Sequence, residues 1–422
     1  MGACDGAVRS SRDACLAFEE GIWIVVQQCM GVISIGALRS SGESAQFASG
    51  QLPNGRHRNR SSPWWFPGMH GPTLPPIPLI DARSDPLATA DPVSVRALRD
   101  AVFGSLRSVV VPALPLVDRV ARQWVARSTS PYLTELDAIA ARTRISGIYA
   151  INLSYEYGCT TLARADGPGL APTLRRTLDW PFLGLGRAAL VVHRSGPAGE
   201  FYDVTWPGAV GTLTAVAPGR FAAAINQAPL LRRTRANLLR PIDYAHNLVR
   251  TLSRERGMPP LHLLRSVFET ATSFSQAFEQ LKTVELARPV LFTLVGCASD
   301  EIAVVERRER DATVHLGPGS VANDWRESQI SWEPRPCALE DRWLDSVTRC
   351  AAIEQAVIAS SEPFSWVVPP VRNWNTRVAV EMNAGEGWIR VLGFEPCSAV
   401  DTMPATLPFT SQTATVRALD KA

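Results

Sequence analysis

Three stretches of the chain combine residue types that could carry chemistry. The first is Gly158-Cys159-Thr160-Thr161, preceded by Tyr155-Glu156-Tyr157. The second, Arg175-Arg176-Thr177-Leu178-Asp179-Trp180, places the Arg176 cation and the Asp179 carboxylate 17 and 20 residues after Cys159. The third runs from Trp206 through Gly208, Gly211, Pro218 and Gly219 to Phe221, and ends in Asn226-Gln227. A thiol becomes a nucleophile only when a base or a nearby positive charge stabilises its thiolate. Taken singly, each stretch has a plain structural explanation. A cysteine at the start of a strand is usually a small buried apolar residue. An Arg-x-x-Asp step usually makes a surface pair worth little, and a Gly-rich segment usually turns a hairpin. Their order and spacing together raise the functional reading above these plain ones.

The other cysteines (Cys4, Cys15, Cys29, Cys297, Cys337, Cys350 and Cys397) are irregularly spaced and form no CxxC pair, which excludes a zinc ribbon or a thioredoxin-type site. The six histidines, His57, His70, His193, His246, His262 and His315, show no ligand spacing such as HExxH, so no metal is expected. No GxGxxG follows a strand pattern and no Walker loop occurs, so no nucleotide cofactor is expected.

The elements that must position these residues change character at Ser146. Before it, Asp91 caps a helix with Pro92 at its first position and Val95, Leu98, Val102 and Leu106 at helical spacing. Pro112 and Pro115 interrupt, and helical patterns return over Val117 to Val125 and Tyr132 to Ile145. The unit lacks an obvious core of its own. After it, Gly147 to Tyr157 reads as a strand. Short strands follow at Leu174 to Leu178, Ala188 to His193, Phe201 to Trp206, Gly211 to Val216 and Phe221 to Ile225. A helical block from Pro260 to Val284 precedes a strand pair, Val290 to Val295 and Ile302 to Arg307. Asp341 to Ala359 is helical, and Arg377 to Met382 with Trp388 to Leu392 forms a hairpin. Strands, then helices, then strands predict an α+β fold with antiparallel sheets.

The chain has 422 residues, 46 % of them hydrophobic and 20 % charged, an ordinary globular balance. Its net charge of +3 is too small for a nucleic-acid groove or a membrane-surface patch. All basic residues except Lys282 and Lys421 are arginine. Residues 1–78 read as a low-complexity extension and linker, in which Trp64, Trp65 and Phe66 are expected to dock on the body. The apolar stretch Gly21 to Leu38 is broken by Gln27 and Gln28 and follows Asp13, Glu19 and Glu20, so no integral membrane span is expected. Cytoplasmic location is the expectation, with export through that stretch as the lesser alternative.

Together the three stretches resemble the acid ceramidase and N-acylethanolamine acid amidase family, N-terminal-nucleophile hydrolases related to choloylglycine hydrolases. In that family a Cys-Thr-Ser begins the mature catalytic subunit and an Arg-Asn-x-Asp-aromatic motif follows. Here Cys159, Arg176, Asp179 and Trp180 match, and the family's Gly-x-x-Gly-x-Leu-Thr to Phe-Asn segment is matched from Gly208 to Asn226. The resemblance runs from about Leu79 to the C-terminus. It implies a four-layer αββα sandwich of antiparallel sheets with a helical N-terminal pro-segment. Residues 79–158 would be the propeptide or α-subunit, which is expected to stay bound, and 159–422 the catalytic β-subunit, with cleavage between Gly158 and Cys159.

The resemblance also implies roles. The base is the α-amine freed at Cys159, whose ordinary pKa near 7.7–8.0 suits proton transfer. Gly158 allows the backbone distortion that autolysis requires. Asp179 holds the new ammonium, and Arg176 stabilises the thiolate. Asn323, in Val321-Ala322-Asn323-Asp324-Trp325, corresponds to the family's oxyanion donor. The family's distal arginine corresponds to Arg342 in Glu340-Asp341-Arg342, or to Arg335, which has the better distance and the poorer context. Trp180, Asn226 and Gln227 are the expected substrate-binding residues. Gln227 stands where the family has Glu, and Trp180 where it often has Tyr, which puts pH optimum and substrate identity in question. The implied activity is hydrolysis of a small-molecule N-acyl amide through a thioester. The alternatives are acyl transfer of the isopenicillin N acyltransferase kind and an unprocessed lipid- or partner-binding member of the fold.

Overall fold

The structure is a computed structural model that describes residues 74–412, apart from 104–109, 154–157, 235–238, 254–256, 328, 340, 360–361 and 399–400. The 21–38 stretch, Trp64, Trp65, Phe66 and Tyr155 to Tyr157 lie outside the described residues, as does most of the expected 1–78 extension. Among the described residues no helix is long and apolar enough to cross a membrane.

The first half contributes strands β1 (Leu79–Asp81), β2 (Gly158–Ala165), β3 (Pro172–Asp179), β4 (Leu190–Gly196), β5 (Gly199–Thr205), β6 (Thr214–Ala217), β7 (Phe221–Gln227) and β8 (Leu230–Leu231). The second half contributes β9 (Val290–Val295), β10 (Ile302–Arg307), β11 (Ala312–Leu316), β12 (Gly319–Val321), β13 (Trp332–Glu333), β14 (Thr376–Asn383), β15 (Trp388–Pro396), β16 (Thr402–Pro404) and β17 (Phe409–Gln412). They form an eight-stranded sheet in the order β1-β4-β5-β6-β7-β9-β10-β11 and a seven-stranded sheet in the order β12-β2-β3-β14-β15-β16, with β17 also on β15. The pairings are antiparallel except that of β1 with β4. The mixed α+β class with antiparallel sheets is as the sequence predicts.

The two sheets face each other where β2 and β3 lie over β7 and β9. The core between them joins Cys159, Leu174 and Leu178 to Ala215, Ala223, Ile225 and Phe292. Strand β7 is buried along its whole length, and its run Ala222-Ala223-Ala224 gives the facing sheet little bulk to clear. Helices cover the outer faces. Helix α6 (Pro260–Thr270) packs on β4, β5 and β7, and α7 (Phe274–Thr283) on β9 and β10. Helix α8 (Arg342–Gln355) packs on β2 and β12. The expected helical block from Pro260 to Val284 is therefore two helices, because Ser273 caps a new one through the Gln276 amide.

Ahead of β2 lie helices Pro92–Phe103, Leu114–Arg127, Leu133–Thr143 and Ile148–Asn152. Asp91 caps the first through the Ser94 amide at 2.8 Å. Two sequence expectations fail here. Gly147 to Tyr157 is not a strand where described: Gly147 takes φ +102°, and the Asp118 carboxylate accepts the amides of Gly147, Tyr149 and Ala150, which sets a short helix start. The expected strand over Gly211 to Val216 begins only at Thr214, and the helix Arg240–Leu252 was not legible in the sequence pattern. The buried cluster of the helical unit, with Val95, Trp124, Leu136, Ile139 and Tyr149, also takes in Val210 and Ala287 of the body.

Candidate active site

The pleat of β2 and β3 sorts the predicted residues onto two faces. The register sets Cys159 opposite Leu178, Thr161 opposite Arg176, and Gly158 opposite Asp179. Cys159, Thr161 and Arg176 therefore point between the sheets, while Gly158, Thr160 and Asp179 face the α8 side.

On the inner face, Arg176 Nη2 donates to Cys159 Sγ at 2.7 Å. Its Nη1 donates to the Leu213 carbonyl at 3.0 Å and the Thr214 hydroxyl at 2.6 Å, which aims the guanidinium. Both Cys159 and Arg176 are fully buried. Burial pushes the Cys159 thiol up to about 11, against the pull of Arg176. A thiol held neutral by burial thus sits beside the Arg176 guanidinium.

On the other face, the Cys159 amide donates to Asn323 Oδ1 at 2.9 Å. Asn323 Nδ2 donates to the Gln227 carbonyl at 3.0 Å. Two donors, the Cys159 amide and Arg349 Nη2 at 3.1 Å, meet the same Asn323 oxygen, which fixes the orientation of its amide. In this state Asn323 receives the nitrogen of the Gly158–Cys159 bond, and its donor is taken by Gln227.

Asp179 is buried, and its Oδ1 accepts from the Thr376 hydroxyl at 2.8 Å. Its Oδ2 has no hydrogen-bond partner among the described residues. Burial raises its carboxyl above the usual range, opposed by Arg349 and Thr376. A buried carboxylate oxygen left open in this way is suited to a cationic partner.

Arg349 was not among the expected residues. Its Nη1 donates to the Cys159 carbonyl at 2.5 Å and the Thr160 hydroxyl at 2.8 Å. Asp345, one turn earlier on α8, pairs with it at 2.8 Å. Arg342 opens the same helix, and its side chain lies outside the described residues. Arg335 donates through Nε to the Ala228 carbonyl at 2.9 Å. The available signal for Arg349 was its i,i+4 spacing from Asp345 on a helix whose start was legible.

Asn226 holds strands together: it accepts from Thr161 at 2.7 Å and donates to the Val321 and Ala322 carbonyls, both at 3.0 Å. Trp180 lines a mostly apolar cavity of about 60 Å³ with Leu213, Trp206 and Leu185, and with Leu98, Val102, Ile151 and Asn152 from the segment before β2. Among the described residues no group of three His, Cys, Asp or Glu could hold a metal ion.

Cys337 is a second residue that the sequence pattern did not single out. A Cβ placed on Gly158 would lie 1.8 Å from its Sγ. Its amide donates to Asp345 Oδ2 at 3.1 Å, and its carbonyl accepts from Asn375 Nδ2 at 3.0 Å.

In sequence the chain is similar to acid ceramidase. Acid ceramidase from Heterocephalus glaber is 24% identical over 263 residues, which are 57% of this chain and 64% of that protein. The match therefore spans less than two thirds of that relative's length. Among solved structures, a Caenorhabditis elegans N-acylethanolamine-hydrolyzing acid amidase ortholog is similar at 17% identity and a TM-score of 0.39, over 54% of this chain and 93% of that one. A mutant conjugated bile acid hydrolase from Clostridium perfringens is similar at 11% identity and a TM-score of 0.35, over 60% and 97%. No family model matches the chain.

Proposed function

We propose that the protein is an autoprocessed N-terminal-cysteine amidase, with the four-layer αββα arrangement of that class. The observation that carries the reading is the 2.7 Å contact of Arg176 with the Cys159 thiol, made while the Cys159 amide sits on Asn323 and Asp179 keeps an open oxygen across from Gly158.

In processing, Cys159 Sγ attacks the Gly158 carbonyl carbon. The C–N bond breaks, and the thiol proton ends on the departing Cys159 nitrogen. Water then hydrolyses the thioester and leaves a free α-amine at Cys159. That amine finds Asn323 Oδ1 already in place and Asp179 Oδ2 open to it. In turnover the amine takes the thiol proton, the thiolate attacks the amide carbonyl of an N-acyl amide, the amine product leaves with the proton, and water then hydrolyses the acyl thioester to release the acid and restore the thiol. Arg176 supports the thiolate throughout. Arg349 takes the distal arginine role: it holds the Cys159 carbonyl, so the nucleophile's backbone is fixed while its nitrogen changes from amide to amine. The apolar cavity at Trp180 accepts the acyl chain beyond its α-carbon.

Cys159→Ala tests this directly. The variant is expected to stay full length by intact mass and to release no fatty acid from N-acyl ethanolamines or ceramides. Cleavage before residue 159 in that variant would sink the reading.

A further inference from the structure

Gly158 and Cys337 are in closer contact than any side chain at position 158 could tolerate: a Cβ there would overlap the Cys337 sulfur at 1.8 Å and crowd Cys337 Cβ at 3.2 Å. The backbone of Cys337 is pinned at both ends, by Asp345 and by Asn375, and Sγ sits 3.7 Å from Asn323 Oδ1. Asp345 is itself buried and accepts the amides of Ala338 and Leu339 at 2.7 and 2.8 Å, so the whole turn that carries Cys337 is fixed.

The same sulfur nucleophile forms both thioesters, the one with Gly158 in processing and the one with the acyl group in turnover. The carbonyl carbon of each must reach Cys159 Sγ, so the α-carbon of each falls in the same region. We infer that Cys337 is a specificity-determining residue that walls one side of the acyl α-carbon subsite and rejects acyl groups whose α-substituent projects toward it. The inference rests on the amidase reading above. Only one of the two α-hydrogens of Gly158 points along the L side-chain direction toward Cys337, so the exclusion is one-handed. An α-methyl group projecting toward Cys337 is rejected, and its mirror image is not. The same contact explains why the residue before the nucleophile is glycine: it is the one residue that can present its carbonyl there.

Intact mass and turnover test this together. If the wild-type chain neither splits before Cys159 nor hydrolyses acyl amides, the amidase reading itself fails. If it splits, Gly158→Ala is expected to slow splitting by about tenfold or more, an overpacking effect, and Gly158→Ala with Cys337→Ala to recover it. Splitting of Gly158→Ala at the wild-type rate, or a double variant as slow as the single one, overturns the inference. Should Gly158→Ala fail to fold, the mature enzymes decide. Wild type should prefer one enantiomer of a 2-methylacyl amide in kcat/KM, and Cys337→Ala should reduce that preference by about tenfold. An unchanged enantiomer ratio in Cys337→Ala overturns the inference.

Discussion

Arg349 donates to the carbonyl oxygen of Cys159 at 2.5 Å across 190 residues of chain. It brings a helix on the outer face of the smaller sheet into direct contact with the backbone of the proposed nucleophile. Arg349→Ala removes that contact and also strands Asp345 as a buried carboxylate without its cation. Loss of one partner of a buried pair costs about 3–5 kcal/mol, so the denaturation midpoint should fall. Processing should fall by about 100-fold or more, the scale of losing a preorganised donor. Arg349→Lys restores charge without the planar fork, and should recover stability more than rate. Urea titration and time-resolved intact mass separate the two effects.

The Cys159 thiol, pushed up to about 11 by burial, is protonated at neutral pH before cleavage. Iodoacetamide should therefore modify Cys159 slowly in the intact chain at pH 7, and faster with each step toward pH 10. In the cleaved chain, with an α-amine beside the sulfur, labelling at pH 7 should be at least about tenfold faster. Peptide mass spectrometry of the two forms from one sample makes the comparison. Equal rates at pH 7 would count against the α-amine as base.

Asp179→Asn keeps the shape of the side chain and removes its charge. A carboxylate beside an ammonium favours the charged amine and raises its pKa. Its removal should lower that pKa and shift the acid limb of the kcat profile to lower pH. The amine also loses an anchor, so kcat should fall by about 10²–10³ at the optimum. A pH-rate profile of the cleaved variant reads both effects. An acid limb that stays in place would remove Asp179 from contact with the amine.

The segment before β2 is tied to the body by a buried polar cluster. Ser130 Oγ bonds His262 Nδ1 at 2.7 Å, Arg265 pairs with Glu135 at 2.8 Å, and the Tyr132 hydroxyl donates to Glu269 at 2.8 Å. The two fragments should therefore co-elute after cleavage at pH 7. Burial, with Arg265 nearby, holds His262 down at about 3. The separated or unfolded chain, with His262 near 6.5, binds the proton first, so association weakens as pH falls from about 6.5 toward 3. The slope is at most about 1.4 kcal/mol per pH unit. Size exclusion at pH 7 and pH 4.5 should show separation only at the lower pH, and His262→Gln should flatten the dependence.

What was legible in the sequence is what local pattern controls. The strands of the two sheets follow alternating or continuous apolar runs, and β9 and β10 begin and end where the pattern does. Cys159, Arg176 and Asp179 stand on two neighbouring strands, and a fixed spacing along one hairpin brings them together. Arg349 and Cys337 were not legible, because they reach the site from a helix and a turn whose placement depends on how α8 lies on β2. The Asp345–Arg349 step was visible, but nothing local says which face of α8 is buried. The strand expected over Gly147 to Tyr157 failed for the same reason: the Asp118 carboxylate that caps the helix there comes from 29 residues upstream.

Strand β1, the short piece Leu79–Asp81, completes the larger sheet by pairing with β4. Pairing on this side covers the amides and carbonyls of Val191 to His193. If the segment before Cys159 were lost after cleavage, Val191, Val192 and His193 would become an exposed, flat edge rich in β-branched residues, a template for joining other chains. A cut at Gly158 therefore leaves the severed piece needed as a guard against aggregation, and the cleaved enzyme should stay dispersed only while it keeps the part it no longer has a covalent claim on.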